Sequence, residues 1–135
     1  MKGTYALVMH LRKDETIPIG RRPNRFRKGY YVYVGSALNN LEKRIARHES
    51  ASKKMHWHID YFLRHAEIIG VETIVSPERL ECALSRGVKR LADSEPMKGF
   101  GSSDCRCGTH LYYFSENPLA TGRVKEIFEG FSIHI

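Results

Sequence analysis

Residues 29–48, GYYVYVGSALNNLEKRIARH, combine side chains that are suited to phosphate chemistry. Tyr33 belongs to an alternating run that is typical of a two-faced strand. Arg44 and His48 follow four residues apart, which places them on one face of a helix, one turn apart. Arginine offers a planar fork of donors for two phosphate oxygens, and histidine can act as a general base or phosphate donor. We therefore expect a tyrosine, an arginine and a histidine to converge on one site.

The elements that must position these groups follow from the same stretch. We expect Gly35 to break the strand, because glycine allows a sharp turn or a close approach of the backbone. Ser36 and Asn39 are typical helix-start residues, since their side-chain oxygens accept hydrogen bonds from the first-turn N–H groups. The apolar stripe of the helix that follows consists of Leu38, Leu41 and Ile45.

The remaining pattern predicts a compact α/β (α+β) domain over residues 1–135, with a small mixed, mostly antiparallel sheet flanked by helices. Alternation predicts strands over residues 5–11, 68–75 and 110–114, and a short edge strand over residues 16–19. Residues 56–63 and 118–129 are expected to be helical, with a loop over residues 96–108. Ser76, Pro77 and Glu78 are typical of a helix start, with Ser76 as the cap.

Two short motifs carry a family resemblance. Gly3-Thr4-Tyr5 and Tyr33-Val34-Gly35 resemble the two halves of the GIY-YIG nuclease signature, and Arg44 falls where that superfamily has its helix arginine. The fuller pattern, YVYVGSA followed by RIARH, HWHIDYFL and GFGSSDC-x-C, is similar to the small prokaryotic family DUF123, placed within that superfamily. The resemblance covers nearly the whole chain and implies one GIY-YIG-like domain.

The resemblance implies that Tyr5, Tyr33, Arg44 and Glu81 are catalytic, and His48 joins this predicted set because it lies beside Arg44 and can act as a general base or phosphate donor. One tyrosine would position or deprotonate a water, and the helix arginine would hold the phosphate. Because a tyrosine with a pKa of about 10 is a poor base at neutral pH, we expect Arg44 or a metal to lower that pKa. The alternative is that both tyrosines are core residues with hydrogen-bonded hydroxyls.

A helix glutamate would bind one divalent metal, Mg²⁺ or Mn²⁺, and Glu81 matches its position along the chain. Glu78 is the competing choice, although its expected place in a first helical turn already has a capping explanation. One protein carboxylate suffices for Mg²⁺, which keeps several waters. The sequence departs from the superfamily pattern in its closing asparagine: Asn117 lies far along the chain, and Ser103 or Asp104 are the alternatives.

The charge of the chain favours a polyanionic partner. Lys and Arg outnumber Asp and Glu by 22 to 15, which gives a formal net charge of +7, and each neutralised phosphate releases condensed counterions. We expect DNA rather than RNA as the partner. The candidate nucleic-acid-binding residues are Arg21, Arg22, Arg25, Arg27, Lys28 and Arg47. The alternative for the basic segment is a solvated sheet edge that resists aggregation. No apolar run is long enough to span a bilayer, so we expect a cytoplasmic protein.

Three cysteines, an odd number, argue against a disulfide framework. Cys105, Cys107 and His110 form a C-x-C-x2-H pattern of soft ligands, and His56, His58 or Cys82 would complete a zinc site. The alternative is that these cysteines are ordinary buried residues.

Together, these features predict a divalent-metal-dependent endonuclease of GIY-YIG type, with a role in DNA repair or processing. The alternatives are a non-catalytic DNA- or RNA-binding module on the same fold and a zinc-stabilised interaction domain.

Overall fold

The computed structural model describes residues 1–102 and 107–133. Its centre is a four-stranded antiparallel sheet in the order β5-β1-β4-β6, and β2 and β3 form a separate two-stranded hairpin. The strands are β1 (Gly3–Leu11), β2 (Glu15–Ile19), β3 (Arg22–Phe26), β4 (Gly29–Ala37), β5 (Glu67–Val75) and β6 (Leu111–Phe114). The helices are α1 (Leu41–Glu49), α2 (His58–Phe62), α3 (Glu81–Leu91), α4 (Pro118–Thr121) and α5 (Arg123–Ile133). The predicted fold class is confirmed.

Strand alternation divides the core into two layers, one on each face of the sheet. Tyr5 and Leu7 of β1 face one layer, where they pack with the β2–β3 hairpin, α1 and α2. Ala6 and Val8 face the other layer, formed with α3 and α5. Since successive strand residues point to opposite faces, this arrangement follows directly from the alternation in the sequence.

The pairing of β1 with β4 sets the position of the paired tyrosines. Tyr5 lies opposite Gly35, and Leu7 lies opposite Tyr33. Tyr5 and Tyr33 are therefore diagonal neighbours on the same face, near the end of the sheet where β1 begins and β4 ends. Their ring centroids are 6.3 Å apart.

The expected strand break at Gly35 is wrong. β4 continues through Gly35 to Ala37, and Gly35 keeps its place in the ladder opposite Tyr5. The helix start is also later than expected: Asn40 caps α1 by accepting a hydrogen bond from the Lys43 N–H, whereas Ser36 is a strand residue. Leu38 precedes the helix and is 59% exposed, so it does not belong to the apolar stripe.

The expected start of α3 is also wrong. The Ser76 hydroxyl accepts a hydrogen bond from the Glu78 N–H at 3.0 Å, which closes a short turn rather than a helical one. The helix begins five residues later, at Glu81. This difference gives Glu81 the first-turn position that had been expected for Glu78.

Two further segments differ from the predictions. No strand was predicted over the basic segment after β2, but residues 22–26 pair with β2 as β3. The predicted helix over residues 118–129 is divided at Gly122, whose φ of 69° lies in the left-handed region that ends a helix. Across residues 1–102 and 107–133, no helix is long and apolar enough to cross a membrane.

Candidate active site

A cleft of about 530 Å³ opens where β1 begins and β4 ends. Its walls come from β1, β4, α1, the start of α2, the start of α3 and the loop before β6. Its lining includes four of the five predicted catalytic residues, namely Tyr5, Tyr33, Arg44 and Glu81. His56, Trp57, His58, Gly101 and His110 also line it.

Glycines make room for the two tyrosine rings. A Cβ on Gly35 would lie 2.5 Å from the Tyr5 Oη and 2.9 Å from the Tyr33 ring. A Cβ on Gly101 would lie 2.8 Å from the Tyr33 ring, and the φ of Gly101 is 66°. The absence of a side chain at Gly35 therefore lets the two tyrosine rings lie close to the backbone of the strand.

His48 lies behind Tyr5, within the wall of the cleft. It is 3% exposed, and its Nε2 is 2.7 Å from the Tyr5 Oη. Burial lowers the pKa of His48 to about 4, and the nearby Lys53 charge lowers it further. His48 is therefore neutral at pH 7. When the Tyr5 hydroxyl donates to Nε2, the ring proton sits on Nδ1, which has no hydrogen-bond partner among the described residues.

The tyrosine pKa values do not follow the expectation from the sequence. Burial raises the pKa of Tyr5, and the adjacent Arg44 opposes this effect without overcoming it. Burial likewise raises the pKa of Tyr33, and the neighbouring Tyr5 and Glu81 add to the increase. In the protein alone, Arg44 does not lower a tyrosine pKa below its ordinary value, because desolvation of the phenolate dominates.

Arg44 is held from two directions. Its Nη1 donates to the Ser36 carbonyl oxygen at 2.9 Å, and its guanidinium lies 4.4 Å from the centroid of the Trp57 ring. The Arg47 guanidinium also lies over that ring, at 4.3 Å. Arg44 is thereby positioned at the cleft wall and retains further N–H groups for a ligand.

Arg47 is committed to an ion pair within the protein. Its two terminal nitrogens donate to the carboxylate oxygens of Asp60 at 2.8 and 2.9 Å, and Asp60 is fully buried. A fully buried carboxylate therefore compensates the charge of Arg47, whereas Arg25, another residue predicted to bind nucleic acid, pairs only with the exposed Asp14, at 3.9 Å.

Glu81 faces the cleft from the first turn of α3, where a negative charge complements the helix dipole. Its side chain is 22% exposed, and Oε1 lies 3.5 Å from the His110 Nδ1. The Ser36 hydroxyl donates to Oε2 at 3.5 Å. A partly exposed carboxylate beside a cleft fits a hard divalent cation, because water can supply the remaining oxygen ligands.

The basic segment lies apart from this site. Arg27 stacks over Tyr113 at 4.4 Å, and Lys28 precedes Gly29, the first residue of β4. Gly29 is six residues from Gly35, which corresponds to about 20 Å along a strand. None of the five basic residues between Arg21 and Lys28 belongs to the described lining of the cleft.

Only some of the other predicted residues lie in the part of the chain that the structure describes. Cys107 and His110 lie near Cys82, whereas Cys105 lies outside the described residues. Ser103 and Asp104 also lie outside them. Asn117 caps α4 by accepting a hydrogen bond from the Leu119 N–H, so it does not replace the superfamily asparagine at the cleft.

Sequence reasoning missed the roles of Trp57 and His58. Residues 56–63 were predicted to be helical, but the stacking of Trp57 under Arg44 was not predicted. His58 Nδ1 accepts a hydrogen bond from the Gly101 N–H at 3.1 Å, which joins α2 to the loop before β6. The sequence signal for these roles was the cluster His56-Trp57-His58. Three consecutive aromatic side chains with ring N–H groups are unusual in a helix that packs in the core.

The fold and the cleft define a small α/β domain with a site lined by tyrosine, arginine and glutamate at one end of an antiparallel sheet. The chain belongs to the DUF123 family, described as a domain of unknown function, which matches residues 4–133. No curated protein and no solved structure matches the chain significantly. The expected membership of DUF123 is confirmed, and the wider GIY-YIG assignment stays a prediction.

Proposed function

We propose that this chain is a phosphodiesterase of GIY-YIG type that cleaves nucleic acid with the help of a divalent metal. The observation that supports the proposal is the convergence of Tyr5, Tyr33, Arg44 and Glu81 on one cleft. These residues come from β1, β4, α1 and α3, and they are separated by up to 76 positions along the chain. Phosphodiester cleavage needs an activated water, stabilisation of developing charge and help for the leaving oxygen, and this set offers a group for each.

Tyr5 and His48 form the proton-accepting part of the proposed site. The Tyr5 hydroxyl lines the cleft and hydrogen-bonds His48 Nε2. As Tyr5 accepts a proton from the attacking water, its own proton passes to His48, so that no buried phenolate forms. This relay avoids the phenolate that burial of Tyr5 disfavours, and the positive charge would form on His48, whose pKa of about 4 makes it a weak proton acceptor.

Arg44 and Glu81 supply the charges of the site. Arg44, fixed by the Ser36 carbonyl oxygen and by Trp57, would bind two phosphate oxygens and stabilise the pentacovalent transition state. Glu81 would hold Mg²⁺ or Mn²⁺, which supplies Lewis-acid stabilisation to the leaving oxygen when it is bound. Tyr33 would position the phosphate or the water from the opposite wall.

DNA is the proposed substrate, in keeping with the net charge of +7, and the process it serves is DNA repair or processing. The five basic residues from Arg21 to Lys28 would contact the backbone of the same DNA about 20 Å from the cleft, a length equivalent to roughly six base pairs of duplex at 3.4 Å each. Because the basic segment and the cleft are this far apart, a substrate that contacts both must extend several nucleotides beyond the scissile bond.

The decisive experiment compares Glu81→Gln with Glu78→Gln. Both variants remove one carboxylate from the same end of α3, but Glu78 is exposed and lies outside the described lining of the cleft. Cleavage of single-stranded, duplex, branched and damaged DNA is measured with and without Mg²⁺ or Mn²⁺. We expect Glu81→Gln to abolish metal-dependent cleavage while DNA binding persists or tightens, because a carboxylate near phosphate repels it. Glu78→Gln should cleave like the unmodified protein.

Arg44→Ala should reduce both cleavage and DNA binding, since this cation meets the phosphate before and during the reaction. Cleavage that survives Glu81→Gln unchanged would place the metal elsewhere and refute the proposal. DNA binding without cleavage by the unmodified protein would support the non-catalytic binding module instead, an alternative favoured by the raised pKa of both tyrosines. A protein that ignores DNA at low salt would leave the zinc-stabilised interaction domain.

A further inference from the structure

A second group of metal-ligating side chains lies beside the cleft. Cys82 is the second residue of α3, and Cys107 and His110 belong to the segment that leads into β6. One potential ligand atom from each of the three residues lies within 4.8 Å of the other two. We propose that Cys82, Cys107 and His110 bind a zinc ion.

The chemistry of the donors favours zinc over the hard cation proposed for Glu81. Two thiolates and an imidazole are soft or borderline ligands, which suit Zn²⁺ and are poor ligands for Mg²⁺. Around a tetrahedral zinc ion, with bonds of about 2.0–2.3 Å, neighbouring ligand atoms are roughly 3.5–4 Å apart. Small rotations of the side chains therefore bring the three ligand atoms from their present spacing to zinc-binding distances.

The surroundings allow a metal to reach the site and a fourth ligand to bind. His110 is fully buried, whereas Cys82 and Cys107 are half-buried. Cys82 lines the cleft and, together with Cys107, a neighbouring cavity of about 240 Å³. Arg86 and Lys89 also line that cavity, which leaves room for a fourth ligand.

The location gives this zinc ion a structural role. It would join the first turn of α3 to the segment before β6, two parts of the chain that are otherwise 25 positions apart. Glu81 precedes Cys82 directly, and its carboxylate lies 3.5 Å from His110. Zinc would thus fix the wall that carries Glu81. This inference concerns a separate metal and does not depend on cleavage of nucleic acid.

The C-x-C-x2-H pattern predicted Cys105, Cys107 and His110 as zinc ligands, with Cys82 among the candidates that would complete the site. The described structure brings Cys82, from α3, together with Cys107 and His110, whereas Cys105 lies outside the described residues. A three-residue set that uses Cys82 and one that uses Cys105 can be separated experimentally, because Cys82→Ser removes a ligand only from the first and Cys105→Ser only from the second.

The experiment titrates Zn²⁺ into the full chain after chelation, under a thiol-free reductant and against a chromophoric zinc indicator. We expect one equivalent to bind. Cys82→Ser and Cys107→Ser should each weaken binding at least tenfold, whereas Arg86→Ala, which changes the same cavity without removing a ligand, should retain it. With Co²⁺ in place of zinc, each cysteine variant should lose about half of the sulfur-to-metal charge-transfer absorbance, because one of two thiolates is gone.

Thermal unfolding supplies a readout independent of the titration. Chelation should lower the Tm of the unmodified protein and leave that of Cys82→Ser unchanged. Failure of the unmodified protein to bind zinc would overturn the proposal. It would also be overturned by Cys82→Ser binding zinc as tightly as the unmodified protein, or by loss of zinc from Cys105→Ser alone. Glu81→Gln distinguishes this site from the proposed cleavage site, since it should keep its zinc while losing cleavage.

Discussion

Asp60 is the group whose removal should most disturb the wall that holds Arg44. Its carboxylate is fully buried and accepts four hydrogen bonds. Two come from Arg47, and two come from the backbone N–H groups of His56 and Trp57, at 2.8 and 2.9 Å. We expect Asp60→Asn to destabilise the protein, because an amide offers one acceptor oxygen and turns its NH₂ group toward donors.

The magnitude follows from the pKa of Asp60. Burial alone would raise this pKa, but hydrogen bonds from Arg47, Trp57 and His56 outweigh burial and lower it from 3.8 to about 2. Each pKa unit corresponds to about 1.4 kcal/mol, so the carboxylate contributes about 2–3 kcal/mol at neutral pH. Because the Arg47 side chain keeps 27% exposure, the unpaired guanidinium is partly hydrated. The loss for Asp60→Asn should therefore be about 2–4 kcal/mol, at or below the range for breaking a fully buried pair.

The pH dependence of this stabilisation has a definite sign. A carboxyl group whose pKa is lower in the folded state stabilises that state above its unfolded pKa of 3.8. The contribution is lost as the pH falls through about 2, the folded value. The difference between the unmodified protein and Asp60→Asn should therefore be constant from pH 5 to pH 7 and should shrink between about pH 4 and pH 2.

Urea unfolding followed by circular dichroism measures the free energy of unfolding, and the single tryptophan, Trp57, reports on the same wall by fluorescence. Glu67→Gln is the matched control, because it breaks an exposed ion pair with Arg12. The Glu67 side chain is 60% exposed and the Arg12 side chain is 79% exposed. That control should lose less than about 0.5 kcal/mol. If Asp60→Asn loses no more than Glu67→Gln at pH 7, the reasoning about the buried carboxylate is refuted.

Two other variants test the packing of the cleft and the charge of the hairpin. Gly35→Ala should cost about 1–3 kcal/mol of stability and reduce activity, because the new Cβ meets the Tyr5 and Tyr33 rings. The control is Gly130→Ala, where a Cβ meets nothing within 4 Å. In thermal unfolding, this control should be neutral or stabilising. Replacing both Arg21 and Arg22 by glutamine should reduce the slope of log DNA affinity against log salt concentration by at most about 2. Arg12 is already paired with Glu67, so Arg12→Gln should change this slope less. An unchanged slope in the double variant would exclude these two residues from the DNA contact.

The face shared by Tyr5 and Tyr33 was predictable from the sequence because it depends only on strand alternation. Both residues occupy odd positions in runs of alternating residues, and antiparallel pairing of β1 with β4 then places them diagonally. The spacing of Arg44 and His48 was equally predictable as a helical one. Both features were predicted from local periodicity, which can be identified in the sequence.

The exact starts of the helices depend on local competition that periodicity does not resolve. Ser76 was expected to cap a helix, but its hydroxyl closes a turn with the Glu78 N–H, as serine side chains readily do outside helices. The consequence for the site was large, since it moved Glu81 into the first turn of α3. Similarly, Ser36 and Asn39 were predicted to start α1, but Asn40 accepts the first-turn hydrogen bond.

The sequence named several groups that meet from distant segments, but it could not predict the contacts that they make. The hydrogen bond between Tyr5 and His48 joins residues 43 positions apart, and the stacking of Arg44 on Trp57 joins α1 to the residue before α2. Each requires the packing angle of a helix against the sheet, which no short motif specifies. The approach of Cys82 to Cys107 and His110 is of the same kind.

In the proposed mechanism, the buried pair of Tyr5 and His48 would move a proton without a lowered tyrosine pKa. Burial acts on both partners in the direction that disfavours charge: it raises the pKa of Tyr5 and lowers that of His48 to about 4. The pair is therefore neutral throughout the neutral pH range and holds its shared proton in one short hydrogen bond. Transfer of the Tyr5 proton to His48 leaves a buried phenolate unless Tyr5 takes a proton from the attacking water in the same step, as in the proposed relay. In that mechanism, Arg44 and Glu81 would remain available for phosphate and metal, so that proton transfer and charge stabilisation would fall to different residues.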